Sequence, residues 1–552
     1  MSRRSRSRKR FAQTDKRVRI PDPFLGFNEL DAEWVADKVW TYKVELPKVQ
    51  EAKEGITHVL AFDGLDTFAT VKLNGETILE SDNMFVPHRL DVTKKLNSES
   101  TNTLEIDFAS ARLEAIKIKE KYPDHRWVGF NGDMARLAVR KAQYHWGWDW
   151  GPILNTCGPW REVRLETYQA RAKDLRVDYK LDDSLKSVRG TISATVEGPS
   201  ADSVSFDVFD GDQRVFRETA KISEGVAKVD FHVSSPKLWY PHGYGEQPLY
   251  TVTATVLTNG AETHQTSRRT GFRKGELIQE PDTIGKSFYF RVNGVDVFCG
   301  GSDWIPADSF TPRVTEEKYR KWLEMMVDGY QIMIRIWGGG IWEEDIFYDI
   351  CDELGVLVWQ DFMFGCGNYP AFPDILRSIK EECTANVTRL RHHPSIIIYA
   401  GNNEDYQVQE SYGLTYDYED KNPENWLKTD FPARYIYEKV RAYRAFSNYN
   451  YADSTIYSYC LTLLRRKVHM FHTIQDHHGV TALRRQTPQW VTCINGTVTI
   501  STLRHIYYTY DVCSMAWHTG KIPDFRYARR PLQQRIRHGS IPTYRHDQVL
   551  LH

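Results

Sequence analysis

The chain has 552 residues, more than one hydrophobic core accommodates, so about two to four domains are expected. A formal net charge of −1 provides no general attraction to nucleic acid or acidic membranes, and we predict neither as a partner. No apolar run reaches the roughly 18 residues of a membrane-spanning helix. The eight cysteines form no Cys-x-x-Cys pair, which argues against a zinc ribbon and favours a reducing compartment.

Residues 1–18 are basic, and no apolar segment follows their positive charges. Because a secretion signal needs such a segment, an intracellular, cytoplasmic location is expected. A solvated, disordered tail is the favoured interpretation of this stretch, and a nuclear or nucleic-acid-binding arm is the alternative.

Residues 19–168 are predicted to form a jelly-roll β-sandwich. Apolar and polar residues alternate in Trp40–Leu46, in Ala69–Leu73 and at 103–108. The dipeptide at 74–75 is Asn-Gly, the strongest short signal for a β-hairpin. Several short segments with this period-two pattern are typical of sheets with one buried face.

An aromatic motif, Tyr-His-Trp-Gly-Trp-Asp-Trp-Gly-Pro, occupies residues 144–152. Indole rings stack on the C–H faces of sugars, and an aspartate accepts hydrogen bonds from sugar hydroxyls. The alternative is an aromatic segment packed beneath the sandwich. Its glycines and Pro152 favour a loop, where function is more often found.

Residues 169–273 again alternate with period two, for example at 188–196, 203–209 and 250–256. About a hundred residues of this kind predict an immunoglobulin-like β-sandwich. No motif with chemistry is visible in this segment, so it is interpreted as a spacer.

From residue 274 to about 445 the pattern changes to alternating strands and helices, which predicts the first half of a (β/α)8 barrel. Four successive predicted strands end in polar or aromatic groups: Asp303 and Trp304, Arg335 and Trp337, Asp361, and Asn403 and Glu404. Because barrels carry their chemistry at the carboxyl ends of their strands, these residues predict the rim of an active site.

The strand at 395–400 is a continuous apolar run, bounded by Pro394 and Gly401, and Glu404 follows it. Such a run is typical of a strand buried on both faces. Taken alone, Glu404 could be an exposed carboxylate at a strand end. The flanking amides and the other three strand ends favour a catalytic group.

Six segments together resemble the β-mannosidases of glycoside hydrolase family 2, over roughly residues 19 to 445. The absence of a leader is similar to the intracellular fungal type. The segments are Ile-Pro-Asp-Pro-Phe-Leu-Gly-Phe-Asn-Glu at 20–29, Trp-Gly-Trp-Asp-Trp-Gly-Pro at 146–152, Trp-Ile-Pro-Ala-Asp-Ser-Phe at 304–310, Arg-Ile-Trp-Gly-Gly-Gly-Ile at 335–341, Trp-Gln-Asp-Phe-Met-Phe at 359–364 and Gly-Asn-Asn-Glu at 401–404.

The resemblance implies a retaining exo-hydrolase that removes β-linked mannose from non-reducing ends, with no cofactor and no metal. It implies that Glu404 is the proton donor, and burial among indoles is expected to raise the pKa of its carboxyl. It further implies a set of substrate-binding residues: Asn403, which would hold the sugar 2-hydroxyl, Trp148, Asp149, Arg335, Trp337 and Asp361.

The sequence departs from the family where the nucleophile is expected. A retaining glycosidase needs a second carboxyl, but no Ser-Glu-Phe-Gly-like motif is present and no glutamate follows Glu438. The nucleophile is therefore unassigned, and residues 446–552 are interpreted as an aberrant segment translated in another reading frame from about 442–447. The N-terminus is also expected to be truncated. Four of the nine histidines of this segment lie close together in sequence, but they repeat no ligand spacing and predict no metal site: His469, His472, His477 and His478.

Three functions stay open. The first is β-mannoside hydrolysis, acting on oligosaccharides, N-glycan cores or mannan fragments. The second is a non-catalytic carbohydrate-binding remnant, and the third is hydrolysis of another β-hexoside. Because half a barrel leaves strand edges unpaired, we expect this chain to fold poorly and to hydrolyse little. The sequence makes no prediction of oligomeric state.

Overall fold

The computed structural model describes residues 20–46, 48, 55–283 and 285–439, together with the backbone of three short antiparallel strands farther on. Those strands are Trp490–Ile494, Thr497–Thr502 and Ile506–Asp511. The basic tail at 1–18 lies outside the described residues. So do the predicted change of reading frame and the four histidines at 469–478.

The first sandwich consists of two antiparallel sheets that share one hydrophobic core. Asn74 and Gly75 both have positive φ, 53° and 87°, as the predicted tight hairpin requires. One sheet contains, in spatial order, Trp40–Leu46, Asn102–Phe108, Ala69–Leu73 and Glu76–Ser81, and the other contains Val163–Tyr168, Thr57–Phe62 and His88–Asp91.

Shorter elements surround the first sandwich. The segment predicted as an aromatic loop is a tight hairpin, because Trp148 pairs with Gly151 across a two-residue turn. Its three-residue strands are too short for alternation to be visible in the sequence. The shorter elements around the first sandwich are the helices Asn28–Ala32 and Ala111–Lys121, the strand pair Leu65–Asp66 and Gly158–Pro159, and the aromatic hairpin, Trp146–Trp148 with Gly151–Ile153.

The second sandwich is likewise formed by two antiparallel sheets around a single core. Strand Val226–Ser234 alternates strictly between exposed and buried residues, which is the period-two pattern of its sequence. One sheet contains Arg171–Leu181, Ser187–Glu197 and Val226–Ser234, and the other contains Gln213–Lys221, Ser203–Asp210, Tyr250–Thr258 and Ala261–Thr270.

A parallel sheet follows a small antiparallel one formed by Gly275–Ile278, Tyr289–Val292 and Val295–Val297. Every residue of the fourth strand of the parallel sheet is buried, as the apolar run at 395–400 predicts. The four strands of the parallel sheet are Gly301–Trp304, Met333–Ile336, Leu357–Asp361 and Ile396–Ala400, and the helices between them are Glu316–Asp328, Asp345–Leu354 and Pro373–Leu390.

These helices begin and end at residues with clear capping roles. The Thr315 side chain accepts a hydrogen bond from the Lys318 N–H, at 3.2 Å, and starts the first helix. Gly355, with φ of 75°, ends the second in the left-handed conformation that glycine adopts most readily. Three shorter helices follow the fourth strand: Asp405–Ser411, Pro423–Trp426 and Ala433–Glu438. Within the described ranges, no helix is both long enough and apolar enough to cross a membrane.

Buried polar contacts join the first sandwich to a helix and a loop of the parallel sheet. Arg140 forms a bidentate pair with Glu382, both nitrogen–oxygen distances being 2.8 Å, and both side chains are almost fully buried. Arg136 donates to the backbone oxygens of Gly365 and Cys366, each at 2.9 Å. Bidentate and charge-assisted bonds of this kind fix orientation strongly. They hold the aromatic hairpin against the carboxyl ends of the parallel strands.

Candidate active site

Arg335, at the end of the second parallel strand, contacts residues at the ends of the other three strands. Its Nη2 donates to Asp361 Oδ2 at 2.7 Å and to Asn403 Oδ1 at 2.8 Å. Its Nη1 lies 3.5 Å from Asp303 Oδ1. The sequence-predicted residues Arg335, Asp361 and Asn403 are thus in direct contact, and the contact to the first strand is made by Asp303.

Opposing effects act on the charges of this cluster. Burial disfavours the Arg335 cation, but the neighbouring Asp361 and Asp303 carboxylates outweigh it and raise the pKa of Arg335. Burial raises the pKa of Asp361 to about 6, although Arg335 opposes the shift. Asp361 also accepts hydrogen bonds from the Gly338 N–H, at 3.1 Å, and from Trp359 Nε1, at 3.0 Å. At neutral pH the two groups therefore form a hydrogen-bonded ion pair whose carboxylate is fully buried.

Glu404 lies beside this cluster in an unusual backbone conformation. Its φ is 60°, in the left-handed region that few non-glycine residues adopt, and helix Asp405–Ser411 begins directly after it. The side chain is half-buried, and its Oε2 accepts a hydrogen bond from Cys366 Sγ at 3.3 Å. Strained backbone of this kind is frequent at functional sites.

An aromatic wall completes the site. The rings of Trp148 and Trp337 meet edge to face, with centroids 4.8 Å apart, and Trp150 meets Trp337 at 5.7 Å. Arg136 lies over the Trp148 ring at 5.1 Å. The hairpin of the first sandwich and the second parallel strand, far apart in sequence, therefore contribute to one aromatic surface.

Two family models match the chain in its β-rich part. The model described as "Glycosyl hydrolase 2 galactose-binding domain-like" covers residues 13–161, and that described as "Glycosyl hydrolases family 2" covers 170–273. β-Mannosidase B of Aspergillus flavus is 59% identical over 427 residues, which are 76% of this chain and 50% of that protein. The Aspergillus clavatus protein of the same name is 59% identical over 425 residues, again 76% and 50% of the two chains.

A solved structure gives the same result. The crystal structure of β-D-mannosidase from Dictyoglomus thermophilum matches with a TM-score of 0.67 and 36% identity, over 76% of this chain and 51% of that one. This chain belongs to glycosyl hydrolase family 2. It has the N-terminal galactose-binding-like and immunoglobulin-like domains of that family, and it spans about half the length of the curated relatives it matches.

Asp149 is a proposed binding residue of this family 2 chain that lies apart from the hydrogen-bonded cluster. It lies exposed at the tip of the aromatic hairpin, and within the described residues no hydrogen bond or ion pair joins it to Arg335 or Asn403. With Trp148 it lines an open cleft of about 3590 Å³ that includes neither Arg335 nor Glu404. The hydrogen-bonded cluster, rather than this cleft, therefore defines the candidate site.

Cys366, Trp359 and Asp405 belong to the surroundings of this family 2 site, and the sequence assigned them no role. Trp359 supports Asp361, and Cys366 contacts both Asn403 and Glu404. Asp405 accepts a hydrogen bond from the Gly367 N–H at 2.8 Å. Only the position of Asp405, directly after Glu404, could have drawn attention to it. A single cysteine in a loop carries no such signal.

Asp405 makes the stability of this family 2 fold depend on pH. Burial raises its pKa from 3.8 to about 8, while hydrogen bonds from Tyr437 and Gly367 oppose the shift. Between about pH 4 and pH 8 the folded protein therefore retains a proton that the unfolded chain has released, so stability falls as pH rises. Asp405→Asn should weaken this fall, which unfolding temperatures measured between about pH 6 and pH 9 will check.

A matched control for this pH prediction is Asp183→Asn, because the Asp183 side chain is fully exposed. It should leave the pH dependence of the unfolding temperature unchanged. Burial also raises the pKa of Glu343, to about 7. Because Glu343 titrates in all three proteins, its contribution to the pH dependence cancels in the comparison. A pH dependence in Asp405→Asn as steep as that of the unchanged protein would contradict the assignment.

Proposed function

We propose that this chain carries the proton-donor half of a retaining, exo-acting β-mannosidase site. Glu404 would protonate the oxygen of the leaving group, and the substrate would be the terminal β-D-mannose of an oligosaccharide, an N-glycan core or a mannan fragment. The observation that carries the proposal is the continuous contact Asp361–Arg335–Asn403 beside Glu404. The two Aspergillus relatives named β-mannosidase B point to the same sugar.

The contacts give each residue a distinct task. Asp361 accepts a hydrogen bond from Arg335 and so fixes its position. Arg335 in turn orients the Asn403 amide by donating a hydrogen bond to the amide oxygen. The Asn403 nitrogen then faces away from Arg335, and one of its two hydrogens is left to donate to a sugar hydroxyl, the 2-hydroxyl in this proposal. Such preorganised donors are most effective where water is excluded. Glu404 is the adjacent group that can give up a proton.

The parallel sheet is proposed to be the first half of a (β/α)8 barrel, and residues 274–445 its catalytic domain, after a jelly-roll domain at 19–168 and an immunoglobulin-like one at 169–273. Four parallel strands in sequence order, with helices between them, support this interpretation. The intracellular location also stays a prediction.

Binding without turnover is the second candidate function. A retaining mechanism needs a second carboxylate about 5–5.5 Å from the first. Among the described residues, the two aspartates that contact the cluster, Asp303 and Asp361, are both engaged by Arg335. This arrangement favours a carbohydrate-binding remnant unless a carboxylate from elsewhere completes the site.

A panel of aryl glycosides tests the proposed substrate. The purified chain is incubated with 4-nitrophenyl β-mannoside, β-glucoside and β-galactoside, and binding of each is measured in parallel by calorimetry. β-Mannoside-specific binding with slow hydrolysis supports the first candidate, and the same binding with no hydrolysis supports the second. A preference for the glucoside or galactoside would overturn the choice of mannose in favour of another β-hexoside.

Trp148 should contribute to this binding through the aromatic wall. Trp148→Ala is expected to weaken the affinity for a β-mannoside about tenfold, since it removes a stacking surface for the sugar ring. The matched control is Trp322→Ala, because Trp322 is 43% exposed on the helix Glu316–Asp328 and does not belong to the wall. Calorimetric titration will check both. Equal affinities for the two variants would remove Trp148 from the binding surface.

A further inference from the structure

Cys366 occupies a central position between two groups of the proposed site. Its Sγ donates to Glu404 Oε2 at 3.3 Å and accepts from Asn403 Nδ2 at 3.2 Å. The side chain is 3% exposed, so water competes little for either contact. The hydrogen bonds thus run without a break from Asp361 through Arg335, Asn403 and Cys366 to Glu404.

The backbone of Cys366 is held as firmly as its side chain. Its N–H donates to the backbone oxygen of Asn403 at 2.8 Å. Its own backbone oxygen accepts from the Phe130 N–H at 2.8 Å and from Arg136 Nη2 at 2.9 Å. Its φ of 53° lies in the left-handed region, which a non-glycine residue keeps only when its surroundings fix it. The sulfur is therefore presented to Asn403 and Glu404 by a rigid loop tied to the first sandwich.

We propose that Cys366 is a positioning residue that orients the Glu404 carboxyl and the Asn403 amide for their roles in the site. The inference rests on the proposed function of Glu404. Arg335 takes the amide oxygen of Asn403, and the sulfur takes one amide hydrogen, so the amide has a single orientation. The single S–H hydrogen of Cys366 is directed to Glu404, which fixes one carboxyl oxygen and leaves the other for the substrate.

The thiol is suited to this role because it stays protonated. Burial raises the pKa of Cys366 well above its ordinary value, and the neighbouring Glu404 adds to the shift. It therefore remains an S–H donor throughout the neutral pH range. Although a thiol is a weak donor, its acceptor here is a carboxyl group in a largely buried setting.

Infrared spectroscopy of the S–H stretching band tests this contact without any reference to sugar hydrolysis. The difference between the spectra of the full chain and of Cys366→Ser isolates the Cys366 band. We expect Glu404→Gln to shift that band, because the acceptor of the S–H hydrogen bond changes from a carboxyl group to an amide. Cys351→Ala is the matched control, since Cys351 is fully buried in helix Asp345–Leu354 and should leave the Cys366 band unchanged. If the S–H stretching frequency of Cys366 is the same in the unchanged chain and in Glu404→Gln, the proposal is overturned.

Kinetics separate positioning from packing. Cys366→Ala should lower kcat for a β-linked mannobiose about tenfold, which is about the effect of one hydrogen bond. Cys366→Ser, whose hydroxyl can make both contacts, should restore kcat. A lower unfolding temperature with an unchanged kcat would mean packing alone and would overturn the proposal.

Failure of the proposed function and failure of the inference about Cys366 give different results. If the unchanged chain neither binds nor hydrolyses β-mannosides, the proposed function fails, but the infrared band still decides whether Cys366 contacts the Glu404 carboxyl. If the band responds to Glu404→Gln and Cys366→Ala does not lower kcat, the contact exists without a positioning role, and the proposal fails. Only a band shift together with a lower kcat that Cys366→Ser restores supports the full inference.

Discussion

Replacing Glu404 by Gln should lower the rate at which the chain cleaves a β-linked mannobiose by about 10²–10⁴-fold, the usual contribution of a general acid. The amide keeps the size and most contacts of the carboxyl, so the affinity for the disaccharide should stay within about twofold, well below the effect of a lost hydrogen bond. A sugar leaving group is the right probe because its departure depends on protonation. Release of mannose and calorimetric binding are measured on the same preparation.

Glu410→Gln is the matched control for this prediction. Glu410 lies on the same short helix, Asp405–Ser411, and is exposed. It should leave both the rate and the affinity unchanged. If Glu404→Gln cleaved mannobiose as fast as the unchanged chain, Glu404 would not be the proton donor.

Arg335→Met should destabilise the fold by about 3–5 kcal/mol, because it leaves the buried Asp361 carboxylate without its cation. It should also abolish mannoside binding, since Asn403 loses the contact that orients its amide. The double variant Arg335→Met/Asp361→Asn removes the unpaired charge. It should therefore recover much of the lost stability and none of the binding. Denaturant unfolding and calorimetry check the two effects.

Arg377→Ala provides the control for the Arg335 prediction. Arg377 is 56% exposed, and its nearest carboxylate oxygens lie 3.6 and 4.0 Å away. An exposed pair of this kind contributes about 0–1 kcal/mol, so stability and binding should hardly change. A loss in Arg335→Met no larger than that of Arg377→Ala would contradict a central role for Arg335.

The sequence contained most of the local structure that surrounds the site. The apolar run at 395–400 predicts the strand Ile396–Ala400, and the Asn-Gly pair at 74–75 predicts its hairpin, because both signals depend on neighbouring residues alone. The alternation of strands and helices predicted from residue 274 onwards is also present, since a helix lies between each pair of successive parallel strands.

What the sequence could not show are contacts between distant segments. Arg140 and Glu382 are 242 positions apart, and neither lies in a pattern that marks a buried ion pair. The same holds for Trp148 and Trp337, which meet only because the aromatic hairpin docks on the parallel sheet. Cys366 acquires its contacts from a left-handed loop conformation, for which a cysteine gives no local signal.

Release of mannose from a β-linked mannobiose by the purified 552-residue chain, beside its Glu404→Gln variant, tests the central claim most directly. The proposal that Glu404 is the proton donor at a mannoside-binding cluster predicts slow release by the unchanged chain, no detectable release by the variant, and equal binding by both. Equal release by the two proteins, or no binding by either, would contradict it.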